Sequence, residues 1–119
     1  MNALLTTIAL SALIMFSGSG GLSLGFERAG FSTTGLDFDP RACEDHRRLT
    51  GKAAHCVDIK AMGPAELLAL HPECPDVLAS SSPCVGFSGC LPEVTSKTEK
   101  YQNFNDLALH GIQIGLEAW

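Results

Sequence analysis

The fold is decided by the stretch ALIMFSGSGG at residues 12–21. Its first half, residues 12–16, is an unbroken apolar run, as expected of a parallel strand that is covered on both faces. Its second half is a turn in which Gly18, Gly20 and Gly21 let the backbone bend tightly and approach a ligand closely. A strand that runs through a glycine-rich turn into a helix is typical of nucleotide-binding α/β folds.

Strands and helices alternate after this stretch. Gly30 is a suitable residue to end the first helix, and Asp39 followed by Pro40 is typical of the start of the second. Predicted strands cover residues 12–16, 31–36, 54–57 and 76–79, and predicted helices cover residues 22–29, 40–49, 64–69 and 104–118.

This alternation predicts an α/β protein with a parallel sheet of about four strands and right-handed crossovers. Residues 80–100 are predicted to form a long loop, because Pro83, Gly86, Gly89 and Pro92 interrupt every regular pattern there. Ligands of parallel sheets bind outside the carboxyl ends of the strands, and each candidate residue below lies at such an end or in the final helix.

The composition predicts one globular domain with reduced thiols. The 119 residues are 45% hydrophobic, which is typical of a globular protein. Their net charge is -5, so this segment is a poor candidate for the main DNA-binding surface of a protein. The apolar run 8–16 has no Lys or Arg before it and is too short to span a bilayer, so we expect a cytoplasmic protein without a membrane segment. No Cys-x-x-Cys or His-x-x-x-His pair is present, so no metal site is expected.

Two carboxylates follow predicted strands at positions suited to a nucleoside. Asp37 ends the second strand, 19 positions after Gly18, where a carboxylate can accept hydrogen bonds from both ribose hydroxyls. Asp58 follows the third strand, where it can reach an adenine amino group. Phe16 and Phe38 are placed to stack on the two faces of the adenine ring.

The glycine pattern favours a ligand without a pyrophosphate. Ser23 stands where a dinucleotide-binding fold would need its third glycine, which argues against NAD and favours a nucleoside ligand without a pyrophosphate. S-adenosylmethionine is one such ligand. A nicotinamide-dependent oxidoreductase remains an alternative. The four histidines are scattered, and we expect solvated or helix-face positions for them.

Two motifs resemble the DNA cytosine-5 methyltransferases. The run FSGSGGLSLGF at residues 16–26 is similar to the family's first signature, Phe-x-Gly-x-Gly-Gly, and SPCVGFS at residues 82–88 is similar to its nucleophile motif, Pro-Cys-Gln-x-Phe-Ser. The resemblance covers about residues 12–119 and implies a Rossmann-like, S-adenosylmethionine-dependent methyltransferase fold with Cys84 as the nucleophile. The cofactor contacts that it implies are Phe16, Ser17, Gly18, Ser19, Gly20, Gly21, Asp37, Phe38, Asp58, Ile59, Pro83 and Leu107.

The resemblance implies transfer of a methyl group to cytosine C5 in DNA through a covalent bond between Cys84 and C6. Val85 stands where the family usually has Gln, and the later signatures and the target recognition domain are absent from these residues. Residues 1–119 are therefore expected to be a partial catalytic domain of a bacterial or phage-type enzyme, whose DNA contacts lie largely in the missing parts. The alternative is an inactive truncated product, or one half of a split methyltransferase with a separate second-half polypeptide.

Overall fold

The computed structural model describes residues 8–83 and 92–119. Within them, four parallel strands form one sheet in the order β3-β2-β1-β4. The chain steps outward from β1 to β3 and then returns to place β4 on the other side of β1, so the switch point lies between β1 and β4. The strands are β1 (Ser11–Met15), β2 (Ser32–Asp37), β3 (Ala54–Cys56) and β4 (Val77–Ser80).

Helices connect and cover these strands, which confirms the predicted α/β class. They are α1 (Gly21–Arg28), α2 (Pro40–Thr50), a 3-10 turn (Ile59–Ala61), α3 (Pro64–Leu70), α4 (Glu93–Ser96) and α5 (Glu99–Ala118).

The predicted loop over residues 80–100 is irregular at residues 81–83, as expected, but the prediction is wrong at residues 93–96 and 99–100, which are helical. Residues 84–91 lie outside the described part, but α4 occupies Glu93–Ser96 and α5 begins at Glu99 rather than at Phe104. Two local features favour these helices. Lys97 forms an ion pair with Glu93 at 2.6 Å, one helical turn apart, and the carboxylate of Glu99 lies in the first turn of α5, where the helix dipole favours a negative charge.

Strand β1, which contains the apolar run that begins at residue 12, is an inner strand of the sheet. Residues 12–15 of β1 have no exposed surface, as predicted for a strand covered on both faces. Because β1 lies between β2 and β4, its carboxyl end is held on both sides by backbone hydrogen bonds. The buried core around it comprises Leu13, Met15, Leu36, Ile59, Met62, Leu67 and Ile114.

One face of helix α5 packs against the sheet. Gly115 faces Leu78 of β4 without a side chain of its own, and His110 is hydrogen-bonded through Nε2 to the carbonyl of Met62 at 2.9 Å. Ile114 is buried by this contact, whereas Ile112 and Leu116 are 49% and 78% exposed. The predicted final helix is therefore present, and Ile112 and Leu116 point away from the core.

A Schellman motif ends α1 at the predicted glycine. Gly30 has φ +95°, and its N–H donates to Glu27 O at 3.0 Å, while Phe31 N–H donates to Phe26 O at 3.0 Å. The rings of Phe26 and Phe31 meet edge to face with centroids 5.2 Å apart. This cap turns the chain directly into β2 and so helps set the position of Asp37 at the far end of that strand.

We expect Gly30→Ala to destabilise the chain by about 1–2 kcal/mol, because alanine is strained in the left-handed region. A Cβ at this position would meet no atom within 4 Å, so the effect is one of backbone conformation alone. Gly25→Ala, inside the same helix and equally free of contacts, is the matched control and should stabilise by about 1 kcal/mol. Urea unfolding of both variants measures the difference, and equal effects would contradict the assigned cap.

Candidate functional site

A cavity of about 460 Å³ lies at the carboxyl edge of the sheet. Small-molecule sites typically measure about 300–1,000 Å³, so a nucleoside-sized ligand fits this volume. Seven residues predicted from the sequence line it, together with Val57, Lys60 and Ser81, which the sequence reasoning missed. The seven are Phe16, Asp37, Phe38, Asp58, Ile59, Pro83 and Leu107.

Asp37 lies at the end of β2 and has both carboxylate oxygens engaged. Oδ2 accepts from Gly18 N–H at 2.8 Å, and Oδ1 accepts from Asp39 N–H at 3.0 Å. Each carboxylate oxygen has two lone pairs, so each oxygen can accept one further hydrogen bond from a ligand. The carboxylate therefore connects the glycine turn to the cavity and keeps acceptor capacity on the cavity side.

Phe38 follows Asp37 and is 71% exposed although it forms part of the cavity wall. A large aromatic side chain that stays in water forgoes about 1.5–3 kcal/mol of burial free energy. A planar ligand stacked on the ring would recover that free energy, because aromatic faces stack well in offset geometry. This exposed ring is the apolar surface in the cavity best suited to a base.

Asp58 and Ile59 form the opposite side of the cavity. The carboxylate of Asp58 accepts from Lys60 N–H at 3.0 Å and so caps the short 3-10 turn that follows β3. This turn buries Ile59 in the core while leaving it in the cavity lining. Asp58 itself is exposed, and its free acceptor capacity faces a ligand or solvent.

Phe16 and Pro83 form the part of the cavity nearest the switch point. Phe16 has φ +55°, an uncommon conformation for a bulky residue, and it packs against the core as well as lining the cavity. Pairing between β1 and β4 continues one step further through Ser81 N–H, which donates to Met15 O at 3.0 Å. Pro83 therefore reaches the cavity only two residues beyond the sheet.

The glycine loop, residues 17–21, borders Asp37 but does not line the cavity. Its predicted contact residues Ser17, Gly18, Ser19, Gly20 and Gly21 are brought to the same edge of the sheet by the bond between Gly18 and Asp37. The hydroxyl of Ser17 is buried and has no hydrogen-bond partner within the described part of the chain.

The predicted nucleophile Cys84 lies outside the described residues. In the chain it directly follows Pro83, which lines the cavity.

His46 is a buried residue that the sequence reasoning missed. It was expected at a solvated or helix-face position, but its ring has no exposed surface and its Nε2 lies 2.7 Å from Ser23 Oγ behind the glycine loop. Burial, and secondarily the charge of Arg47, lower the pKa of His46 below its usual value. Gly35, inside β2, was the available signal, since a strand residue without a side chain indicates the close approach of another group.

Comparison with known proteins identifies the family. The profile of the C-5 cytosine-specific DNA methylases matches residues 10–104 of this chain. The chain belongs to this family. The resemblance predicted from the two motifs is therefore confirmed.

Type II methyltransferases of bacteria are among the similar proteins. M.XorII of Xanthomonas oryzae pv. oryzae is 31% identical over 108 residues, covering 87% of this chain and 24% of that protein. M.NgoFVII of Neisseria gonorrhoeae is 39% identical over 77 residues, covering 64% of this chain and 20% of that protein. The chain thus spans between a fifth and a quarter of the length of these curated relatives.

Solved structures agree on a Rossmann-like methyltransferase fold. A TehB-like SAM-dependent methyltransferase from Corynebacterium glutamicum has a TM-score of 0.59 at 16% identity, covering 95% of this chain and 52% of that one. The Dnmt2 methyltransferase of S. pombe has a TM-score of 0.58 at 19% identity, covering 88% of this chain and 28% of that one. In residues 8–83 and 92–119, no helix combines the length and apolar character needed to cross a bilayer.

Gly35→Ala should disturb the packing of His46 and Ser17 against β2. The new Cβ would lie 2.7 Å from both His46 Nε2 and Ser17 Oγ, so one of these buried groups must move. We expect a loss of about 1–3 kcal/mol in the free energy of unfolding, typical of overpacking. Gly21→Ala, where a Cβ meets no atom, is the control and should leave stability within about 0.5 kcal/mol or raise it. A stable Gly35→Ala variant would contradict the close packing of His46 on β2.

Proposed function

We propose that residues 1–119 are the cofactor-binding and nucleophile-bearing part of a DNA cytosine-5 methyltransferase that uses S-adenosylmethionine. The observation that carries the proposal is the cavity at the carboxyl edge of the sheet, with the uncovered ring of Phe38 beside the carboxylate of Asp37. Family membership supports the reaction type, and the fold is the one that methyltransferases of this kind share.

The residues present fit this cofactor. We assign the adenine to the face of Phe38, with Phe16 and Ile59 as further apolar contacts and Asp58 as acceptor for the amino group. The ribose hydroxyls are assigned to Asp37. Pro83 and Leu107 complete the wall, and the glycine loop holds the methionine part through Ser17, Gly18, Ser19, Gly20 and Gly21, as the family resemblance implies.

The proposed reaction begins at Cys84. Its thiolate adds to C6 of a cytosine that has been turned out of the duplex, which makes C5 nucleophilic. When bound, S-adenosylmethionine would supply an electrophilic methyl group for C5 and would leave as S-adenosylhomocysteine. A base then removes the C5 proton, the electron pair re-forms the C5–C6 double bond, and the thiolate leaves as the bond between sulfur and C6 breaks. The thiol must be ionised to react, so its surroundings have to favour the thiolate.

DNA binding requires a basic surface that this segment does not supply on its own. Its net charge is -5, and several cations bond within the chain: Arg48 pairs with Glu44, Lys97 pairs with Glu93, and Arg47 donates to Ala54 O at 2.6 Å. We propose that the phosphate contacts and the reading of the target sequence belong to further polypeptide, supplied in cis or as a separate second half. The uncovered apolar side chains of α5, Ile112 and Leu116, favour such a partner.

Phe38→Ala should weaken binding of S-adenosylhomocysteine about tenfold or more, because stacking on an aromatic ring contributes about 1–3 kcal/mol per base. Stability should change little, since the ring is 71% exposed. Leu109→Ala is the matched control: Leu109 is 69% exposed on α5, does not line the cavity, and should leave affinity unchanged. Isothermal calorimetry gives both affinities, and equal values in the two variants would contradict the adenine assignment.

Cys84→Ser should abolish covalent capture of DNA that contains 5-fluorocytosine. Fluorine at C5 cannot leave as a proton does, so the wild-type enzyme stays attached to C6 and migrates as a complex that resists denaturation. The assay uses this chain together with the remainder of the methyltransferase. Cys90→Ser, six residues further along, is the control and should still form the adduct. An adduct formed by Cys84→Ser and lost in Cys90→Ser would assign the nucleophile to the other thiol.

A further inference from the structure

His46 lies behind the glycine loop and touches both structures that shape it. A Cβ on Gly20 of the loop would be 3.1 Å from His46 Cδ2, and a Cβ on Gly35 of β2 would be 2.7 Å from Nε2. The backbone of the loop and the backbone of the strand therefore rest directly on the imidazole. A buried polar ring in such a position needs a hydrogen-bond partner for each nitrogen.

The hydrogen bonds around His46 assign its tautomer. Thr50 Oγ1 donates its proton to His46 O at 2.8 Å and accepts from Lys52 N–H at 3.0 Å. It faces His46 Nδ1 at 3.4 Å with a lone pair, so Nδ1 carries the hydrogen. Nε2 is then unprotonated and accepts from the hydroxyl of Ser23, which is fully buried in α1, the helix that begins at the end of the loop.

Ser17, the first residue of the glycine loop, approaches the same point of β2. Among the described residues its buried hydroxyl has no hydrogen-bond partner, and a Cβ on Gly35 would be 2.7 Å from this hydroxyl as well as from His46 Nε2. Ser17 begins the glycine loop and Ser23 follows its end. A change in the hydrogen-bonding character of Nε2 therefore acts directly on Ser23, at the end of the loop.

We propose that His46 is a positioning residue for the glycine loop: its uncharged ring holds the loop through Ser23, and a second proton on Nε2 releases it. Once Nε2 is protonated it becomes a donor, so it can no longer accept from Ser23. The imidazolium is also buried, and a buried charge without a paired anion is costly. Opening the loop to water removes both penalties.

The charges around His46 set the pH range of this effect. Arg47 lies next to it on α2, while Asp37 on β2 and Glu27 on α1 are the acidic groups whose charges reach the ring. Burial and Arg47 outweigh the two acids, so the pKa of His46 is lowered in the folded chain. The ring is neutral at pH 7, and its contribution to stability is complete above about pH 6.5 and is lost as the pH falls below that value.

The consequence for cofactor binding rests on the proposed function, whereas the coupling between His46 and the loop does not. We therefore expect two separate effects of acidification. The loop amides should change environment with the same midpoint as the His46 ring. The affinity for S-adenosylhomocysteine should fall over the same range, because a loop that has opened no longer presents the bound conformation.

NMR titration of the chain tests the coupling without any ligand. In the wild type, the amide resonances of residues 18–21 should follow the titration of the His46 ring. In His46→Gln, which keeps a polar side chain that cannot titrate, they should not.

Ser23→Ala, a small change in α1, should leave the ring titrating but largely uncouple the loop, and it carries the test if His46→Gln does not fold. His55→Gln is the control and should retain the coupling. Loop amides that ignore the His46 ring, or that still titrate in His46→Gln and Ser23→Ala, would overturn the inference.

Calorimetry with S-adenosylhomocysteine then tests the consequence for binding. Between about pH 8 and about pH 5, wild-type affinity should fall more than that of His46→Gln, because only the wild type has a ring at this position that can gain a proton over this range. Titration of the ligand itself affects both proteins equally and cancels in this comparison. Equal losses in the two proteins would overturn the effect of His46 on binding. A third outcome is that the loop amides follow the titration of His46 but S-adenosylhomocysteine does not bind at pH 8. That outcome would refute the proposed function and support the positioning role.

Discussion

The hydrogen bond from Gly18 N–H to the carboxylate of Asp37, 2.8 Å long, is the contact on which the site depends. It joins the turn after β1 to the end of β2, and both strands lie at the centre of the parallel sheet. The same carboxylate accepts from Asp39 N–H, so it also sets the direction in which the chain leaves β2 and presents Phe38 to the cavity. One side chain thus positions the turn and the aromatic ring, and it is itself the proposed acceptor for a ribose.

Behind this bond lies a layer of close packing. His46 fills the space under the glycine loop. A Cβ at Gly35 would force a neighbouring group to move, and a Cβ at Gly20 would be crowded against the ring. The loop is therefore held from the cavity side by Asp37 and from the core side by His46. The buried ring is tolerated because Ser23 and Thr50 provide hydrogen-bond partners for its two nitrogens.

Much of the fold follows from local sequence. The apolar run before the glycine loop predicted the central strand, and Asp39 with Pro40 predicted the start of α2, where the Asp39 carboxylate accepts from Arg41 N–H at 2.9 Å. The cavity residues were predictable because parallel strands end at one edge, which brings Asp37 and Asp58 together. These features depend on short-range chemistry or on a topological rule.

The remaining features depend on contacts between distant segments. In the sequence, His46 is indistinguishable from the other polar residues of α2. It is buried only because β2 and the glycine loop pack against it in the folded chain. Ile112 and Leu116 are exposed because a different face of α5 packs against the sheet. Ile114 and the contact between Gly115 and Leu78 lie on that packed face. Val57 lines the cavity just after β3, and Lys60 lines it from the 3-10 turn that follows, which no pattern in the sequence predicted.

The central claim is that the cavity at the carboxyl edge of the sheet binds the nucleoside of S-adenosylmethionine. Chemical-shift mapping of the isotope-labelled chain with S-adenosylhomocysteine tests it most directly. The account predicts that the largest shifts cluster at the glycine loop, at Asp37 and Phe38, and at residues 57–60. Shifts confined to the shallow groove between Leu22 and Phe31 on the outer face of α1, or no shifts at saturating ligand, would contradict it.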